Sequence, residues 1–120
     1  MAGIDTTDCP PGGNDAVSWI RRGMACTRRR KYGAAIESFD EAIRREPGSV
    51  EALLDRGNAL YALERYEEAL AAYDRATELA PDRPAAHFAR SNALSELGRK
   101  EEAAAAFARG MELRHRPEPG

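Results

Sequence analysis

Little in this 120-residue chain could be used for chemistry or for stapling a small fold. It has two cysteines, Cys9 and Cys26, without CxxC spacing, so neither a disulfide framework nor a metal site is expected. It has two histidines, His87 and His115, and no HxxxH, GxSxG or GxxxxGK pattern. An enzyme, a metal and a cofactor are therefore all outside the expectation. Aromatics make up only 7% of the residues, which leaves few large side chains for a core. No run approaches the roughly eighteen apolar residues of a membrane span. A net charge of −2 argues against wholesale attraction to nucleic acid or to an anionic membrane. The opening MAGIDTTDCPPGGND has neither a basic start nor an apolar stretch, so it does not read as a signal peptide, and a cytoplasmic location is the default expectation. Its PPGGND stretch is linker composition rather than a phosphate loop, because no strand precedes it.

What the chain does have is a period. RRGMACTRRRKYGAAI (21–36), DRGNALYALERYEEAL (55–70) and ARSNALSELGRKEEAA (89–104) follow one another at intervals of 34 residues. Units 16–49, 50–83 and 84–117 place Gly23, Gly57 and Ser91 at one offset and Ala35, Ala69 and Ala103 at another. Phe39, Tyr73 and Phe107 share a third offset, and Ala42, Ala76 and Gly110 a fourth. Such self-similarity is the signature of a repeat array, in which no unit buries its apolar face alone.

Each unit reads as two helices. Residues 51–76 contain no proline and no β-branched residue and are rich in Ala, Leu, Glu and Arg. Leu53, Gly57, Leu60 and Tyr61 fall on one helical face; Tyr66, Ala69, Leu70, Tyr73 and Ala76 fall on another. Pro47 and Pro81 close units, and Asp15, Ser49 and Asp82 are helix-start signals. The break near Glu64–Arg65 has no Pro or Gly, although unit three marks the same place with Gly98. A mid-helix glycine costs about 1 kcal/mol against alanine. The offset at Gly23 and Gly57 is close approach of two helices.

The pattern Trp19-x-x-Arg22-Gly23, with Ala35, Phe39 and Pro47, resembles the tetratricopeptide repeat over residues 16–117. Arg22, Arg56 and Arg90 depart from that signature where it has Leu, Cys26, Leu60 and Leu94 replace its first Tyr, and His87 occupies its Trp place in unit three as a packing residue. The resemblance implies an all-α, right-handed superhelical array of three helix-turn-helix repeats, with 1–15 a disordered leader and 118–120 a tail. It also implies that the first helix of each unit lines a concave groove where peptides lie. Carried onto this chain, the groove residues are Val17, Ile20, Arg21, Met24 and Arg28, then Leu54, Asp55, Asn58 and Tyr61, then Phe88 and Asn92. The amides of Asn58 and Asn92, one period apart, can both donate to and accept from a peptide main chain. A subset of the family grips chaperone-tail carboxylates with cations and amides. At the matching positions stand Ile20, Met24, Asp55, Ala85 and Ala89, with no cation among them, so chaperone-tail binding is not expected.

The expected function is a protein–protein interaction module that binds an apolar peptide or helix, its partner not identifiable from sequence. Exposed apolar rows mark interaction sites, while packing between neighbouring first helices would account for the same side chains. Two alternatives stay open. One is self-association into a homo-oligomer through the Ala-rich last helix, EEAAAAFARGMELR, which no capping helix is seen to follow. The other is weak binding of RNA or acidic tails by Arg28-Arg29-Arg30-Lys31. Unit 16–49 has eight basic and four acidic residues (+4), unit 50–83 four and eight (−4), and unit 84–117 six and four (+2). The basic run also suits a helix C-terminus, where positive charge gains about 0.3–1 kcal/mol, and no interleaved aromatics offer base stacking.

Overall fold

Turn chemistry divides each unit into two helices. Arg30, Glu64 and Gly98, one period apart, hold φ of 62, 61 and 78°. Only glycine takes this left-handed conformation freely, and other residues lose about 1–2 kcal/mol. The following amide offsets that cost: Lys31, Arg65 and Arg99 each donate 2.9 Å back to Cys26, Leu60 and Leu94. This six-to-one closure satisfies carbonyls that the helix end leaves open. The break near Glu64 needs no proline or glycine for that reason.

The computed structural model describes residues 9–116. They form α1 (Ala16–Arg28), α2 (Tyr32–Arg45), α3 (Val50–Ala62), α4 (Tyr66–Leu79), α5 (Pro84–Glu96) and α6 (Lys100–Arg114), with no strand among the described residues. Asp15 caps α1 by accepting from the Ser18 amide at 3.0 Å, and Ser49 caps α3 by accepting from Ala52 at 3.2 Å. Asp82 does not do the same for α5. Arg83 holds the cap position without a side-chain bond, and Pro84 fills the first turn, where a missing amide needs no partner. Residue 117, the last of the third unit, and the tail 118–120 lie outside the described residues.

The helices pair as three successive hairpins stacked into a superhelical array of 52 × 36 × 21 Å. α1 touches α3 and α3 touches α5, whereas α2 and α4 do not meet. First helices therefore make the tight inner layer, and the array curves toward them.

Within a hairpin, glycine makes room for a ring. A Cβ on Gly57 would stand 2.5 Å from Tyr73 Cε1, and one on Gly23 would collide with Phe39 in the same way. Phe39 and Tyr73 are accordingly 1% and 2% exposed. Phe107, at the same offset in unit three, is instead 51% exposed. Ser91 replaces the glycine, and its hydroxyl donates to Ala103's carbonyl at 2.8 Å, taking up the space. Phe88 fills the hairpin from the other side, lying where a Cβ on Gly110 would be 2.6 Å from its ring.

Between hairpins, the arginines that depart from the repeat signature are latches. Arg56 pairs with Asp40 and Arg90 with Asp74, each reaching back 16 residues to the preceding unit. Arg22, in unit one, instead donates to Ser38 Oγ and lies 5.9 Å from the Trp19 ring centroid. His87 is half-buried, as its packing role implied, and its Nε2–H donates to Pro81's carbonyl at 2.8 Å.

The cysteines correct the sequence reading: Cys9 and Cys26 are joined by a disulfide, with Cα atoms 5.1 Å apart. Spacing rules for frameworks miss this because the link is made by geometry. From Asp15 to Cys26, α1 rises about 16 Å, and six extended residues span about 20 Å, so a leader doubling back along α1 reaches its third turn. Residues 9–15, part of the stretch expected as a leader, lie along the first hairpin. Gly12 lies against Trp19, and Asn14's carbonyl accepts from Arg45 Nε at 3.3 Å. Residues 1–8 of the expected leader lie outside the described residues.

Candidate functional site

The inner layer places the expected groove residues in three different environments. Val17 and Met24 are exposed, at 54% and 41%, and Arg21, Arg28, Asn58 and Asn92 are exposed beside them. Leu54, Asp55, Tyr61 and Phe88 are half-buried. Ile20 is buried and belongs to the core rather than the groove surface. It occupies the place of Leu54 and Phe88 one and two periods on, where the helix turns its side chain toward the hairpin. Leu54 packs against both apolar clusters of the core, and Phe88 against Phe107, ring centroids 5.4 Å apart. The continuous apolar row expected from sequence is thus interrupted, because most of it is spent on packing.

Four of the expected residues do converge. Met24, Arg28, Asp55 and Asn58, with Thr27 and the edge of Phe39, line a hollow of about 240 Å³ between α1 and α3. Thr27 is held by donating to Gly23's carbonyl at 2.9 Å. Asp55 has no ion pair or hydrogen bond among the described residues. Burial first, and then the neighbouring charge of Glu51, push its carboxyl up to about 6. Asn58 Oδ1 accepts from the Tyr73 hydroxyl at 2.6 Å, which leaves the amide NH₂ facing out to donate. Burial, followed by the charges of Tyr61 and Asp55, raises the Tyr73 hydroxyl above its ordinary range. This bond accounts for Asn58 but not for Asn92, because Phe107 has no hydroxyl to offer it.

Farther along, the Tyr61 hydroxyl donates to Glu96 Oε2 at 3.1 Å and ties α3 to α5, and Tyr66 meets the Tyr61 ring edge-on at 5.1 Å. The basic run Arg28–Lys31 forms the end of α1 and its turn, with Arg29 at the C-cap. A second hollow, of about 570 Å³, lies between the leader and the first hairpin. Its lining mixes both charge signs, from Arg22, Arg44, Glu37, Asp40 and Glu41, around Trp19. No group of three or more potential metal ligands occurs among the described residues, and none of their helices is long and apolar enough to cross a membrane.

Sequence reasoning missed two contributors to the α1–α3 hollow. Phe39 is not among the expected groove residues, although its buried ring lines the hollow. Tyr73 had a visible signal: it is the one tyrosine among Phe39, Tyr73 and Phe107 at that offset.

Set against known proteins, the profile described as Tetratricopeptide repeat matches residues 20–84 and 54–111. No curated protein sequence matches. Among solved structures, the second TPR of Spaghetti (RPAP3) bound to the HSP90 peptide SRMEEVD is similar at 27% identity and a TM-score of 0.81, with 83% of this chain and 93% of that one covered. MamA is similar in fold at 21% identity and a TM-score of 0.81, and the matched part is 83% of this chain but 58% of that of MamA. A CopN–Scc3 complex is similar at 21% identity and a TM-score of 0.79, covering 85% and 61%.

Proposed function

We propose that this chain, which belongs to the tetratricopeptide-repeat family, is a protein–protein interaction module whose first-helix groove holds an apolar peptide segment or helix. The observation that carries this is the hollow between α1 and α3, walled by exposed Met24 and floored by Phe39. Val17 on the same helix extends its apolar surface. Apolar side chains left open beside a preformed concavity gain on docking what they lose in water. Two of the similar structures are complexes, one with an HSP90 peptide and one of CopN with Scc3, which supports binding in general. An acidic C-terminal tail fits poorly. At the positions that would clamp it, Ile20 is buried, Met24, Ala85 and Ala89 bear no charge, and Asp55 repels a carboxylate. The basic end of α1 fits a solvated helix terminus, and no observation favours RNA.

Leu54→Glu would not test the groove, because Leu54 also supports the core. Met24→Glu does. Peptides selected by display on the wild-type protein should be rich in apolar residues and bind Met24→Glu at least about tenfold more weakly, the loss expected of a central contact. Its melting temperature should stay unchanged. Selection of acidic C-terminal peptides, or equal binding by the variant, overturns the reading.

A second reading is favoured by one observation, the 51% exposure of Phe107 on α6 beside exposed Ala104, Ala105 and Ala108. This face suits self-association. Light scattering across a wide range of concentration should then show mass rising with concentration, and Phe107→Glu should hold the protein monomeric. A strict monomer throughout overturns self-association.

A further inference from the structure

We infer that the hollow between α1 and α3 is a specificity pocket for a basic side chain, lysine or arginine, of the bound segment. The methylenes would lie against Met24 and Phe39 and the charge on the Asp55 carboxylate. This rests on the groove reading and narrows its ligand class.

Three observations converge on Asp55. First, it is an acid without a cation: Asp40 and Asp74 each hold an arginine latch, whereas Asp55 has no such partner among the described residues. Arg28 lines the same hollow yet makes no ion pair with it. Second, the repeat does not require an acid there. One period before Asp55 stands Arg21 and one period after stands Ala89, so the architecture accepts either. A half-buried, unpaired carboxylate that packing does not demand is a cost retained for something outside the fold. Third, the walls suit the stem of a basic side chain, which buries its methylenes on apolar surface while its head seeks charge. The outward NH₂ of Asn58, its oxygen already occupied by Tyr73, is placed to donate to a main-chain carbonyl of the same segment. The upward displacement of the Asp55 carboxyl to about 6 fits an acid that lacks its cation.

The test uses three blocked peptides, alike in a leucine–alanine background, with lysine, norleucine or glutamate at the centre. Norleucine keeps the methylenes and drops the charge. The wild-type protein should prefer lysine to norleucine by about tenfold to a hundredfold, the range of a hydrogen bond to a charged group, and should bind glutamate least. Asp55→Asn should abolish the lysine preference while leaving the norleucine affinity in place. Equal affinity for lysine and norleucine, or a lysine preference that survives Asp55→Asn, overturns the pocket but not the groove. Binding of none of the three overturns both.

A second readout needs no peptide. The folded carboxyl is raised above its ordinary 3.8, so its penalty is full above about 6 and disappears below about 4. Asp55→Asn should therefore melt above wild type at neutral pH, and the two curves should converge in acid. Glu51 on the same helix, Arg28 from α1 and Tyr73 from α4 are common to both proteins, so the difference isolates Asp55. A variant that melts lower than wild type at neutral pH would mean that Asp55 is already satisfied within the fold, and the inference would fail.

Discussion

Gly57→Leu is expected to destabilise the array by about 2–4 kcal/mol, although leucine is the better helix former. Two effects compete. Removing a glycine from a helix interior gains about 1 kcal/mol. Against that, the new Cβ alone would stand 2.5 Å from the Tyr73 ring, which is 2% exposed and has no free space to enter. The ring must leave, and losing a buried aromatic from a core costs about 3–5 kcal/mol. The Tyr73 hydroxyl would also part from Asn58. The packing loss wins. Unit three supports the argument within the same chain: Ser91 stands where Gly57 does, and Phe107 is found outside the hairpin. Gly33→Ala is the control, because nothing lies within 4 Å of its added carbon and only the helix-propensity gain of up to about 1 kcal/mol should remain. Urea denaturation should move the two midpoints in opposite directions. A Gly57→Leu protein as stable as wild type would mean that the seam is not close-packed.

The seam was legible in the sequence because a repeat states the same constraint three times. Gly23 and Gly57, with the aromatics 16 residues later, identify paired helices without reference to any structure. The exceptions were harder, since each depends on two substitutions acting together. Ser91 alone reads as a tolerated small residue, and Phe88 alone as one more groove aromatic. Only with Gly110 opposite does it become clear that Phe88 enters the hairpin and Phe107 leaves it. The latches were visible in principle: Arg56 and Arg90 keep the period, as do Asp40 and Asp74. Surface charge is usually solvated, however, and the sequence does not show which arginine faces a neighbouring hairpin. The groove was legible as a set of helix positions but not as a surface. A modest rotation of a helix decides whether Ile20 faces water or core, and the periodic pattern is too coarse to resolve it. Asp55 shows the converse. Its departure from Arg21 and Ala89 was plain, but its significance depended on finding that no cation accompanies it.

The disulfide lay beyond any pattern, and its removal carries the other large expected effect. Cys9→Ser should destabilise the first hairpin by about 3 kcal/mol, the value for a cross-link closing a loop of this size. The bond joins residues 17 apart and fastens the leader segment along α1, where Gly12 covers Trp19 and Asn14 meets Arg45. Without it, those contacts must hold the leader against its own chain entropy, about 1–2 kcal/mol for each ordered residue, and they are too few. Stability in a repeat array is a sum of unit and neighbour terms, so the loss should stay local. Hydrogen exchange should accelerate in α1 and α2 and change little in α5 and α6. Reducing agent should reproduce the effect in the wild-type protein and add nothing to Cys9→Ser. Disulfides persist in oxidising compartments and are scarce in the cytosol, so the compartment's redox state would set how firmly the first hairpin is held. Met24 and Arg28, on the helix that bears Cys26, line the α1–α3 hollow. Loosening α1 should therefore weaken peptide binding as well as stability, whereas a Cys9→Ser protein with unchanged exchange and affinity would show that the leader contributes nothing to holding that helix.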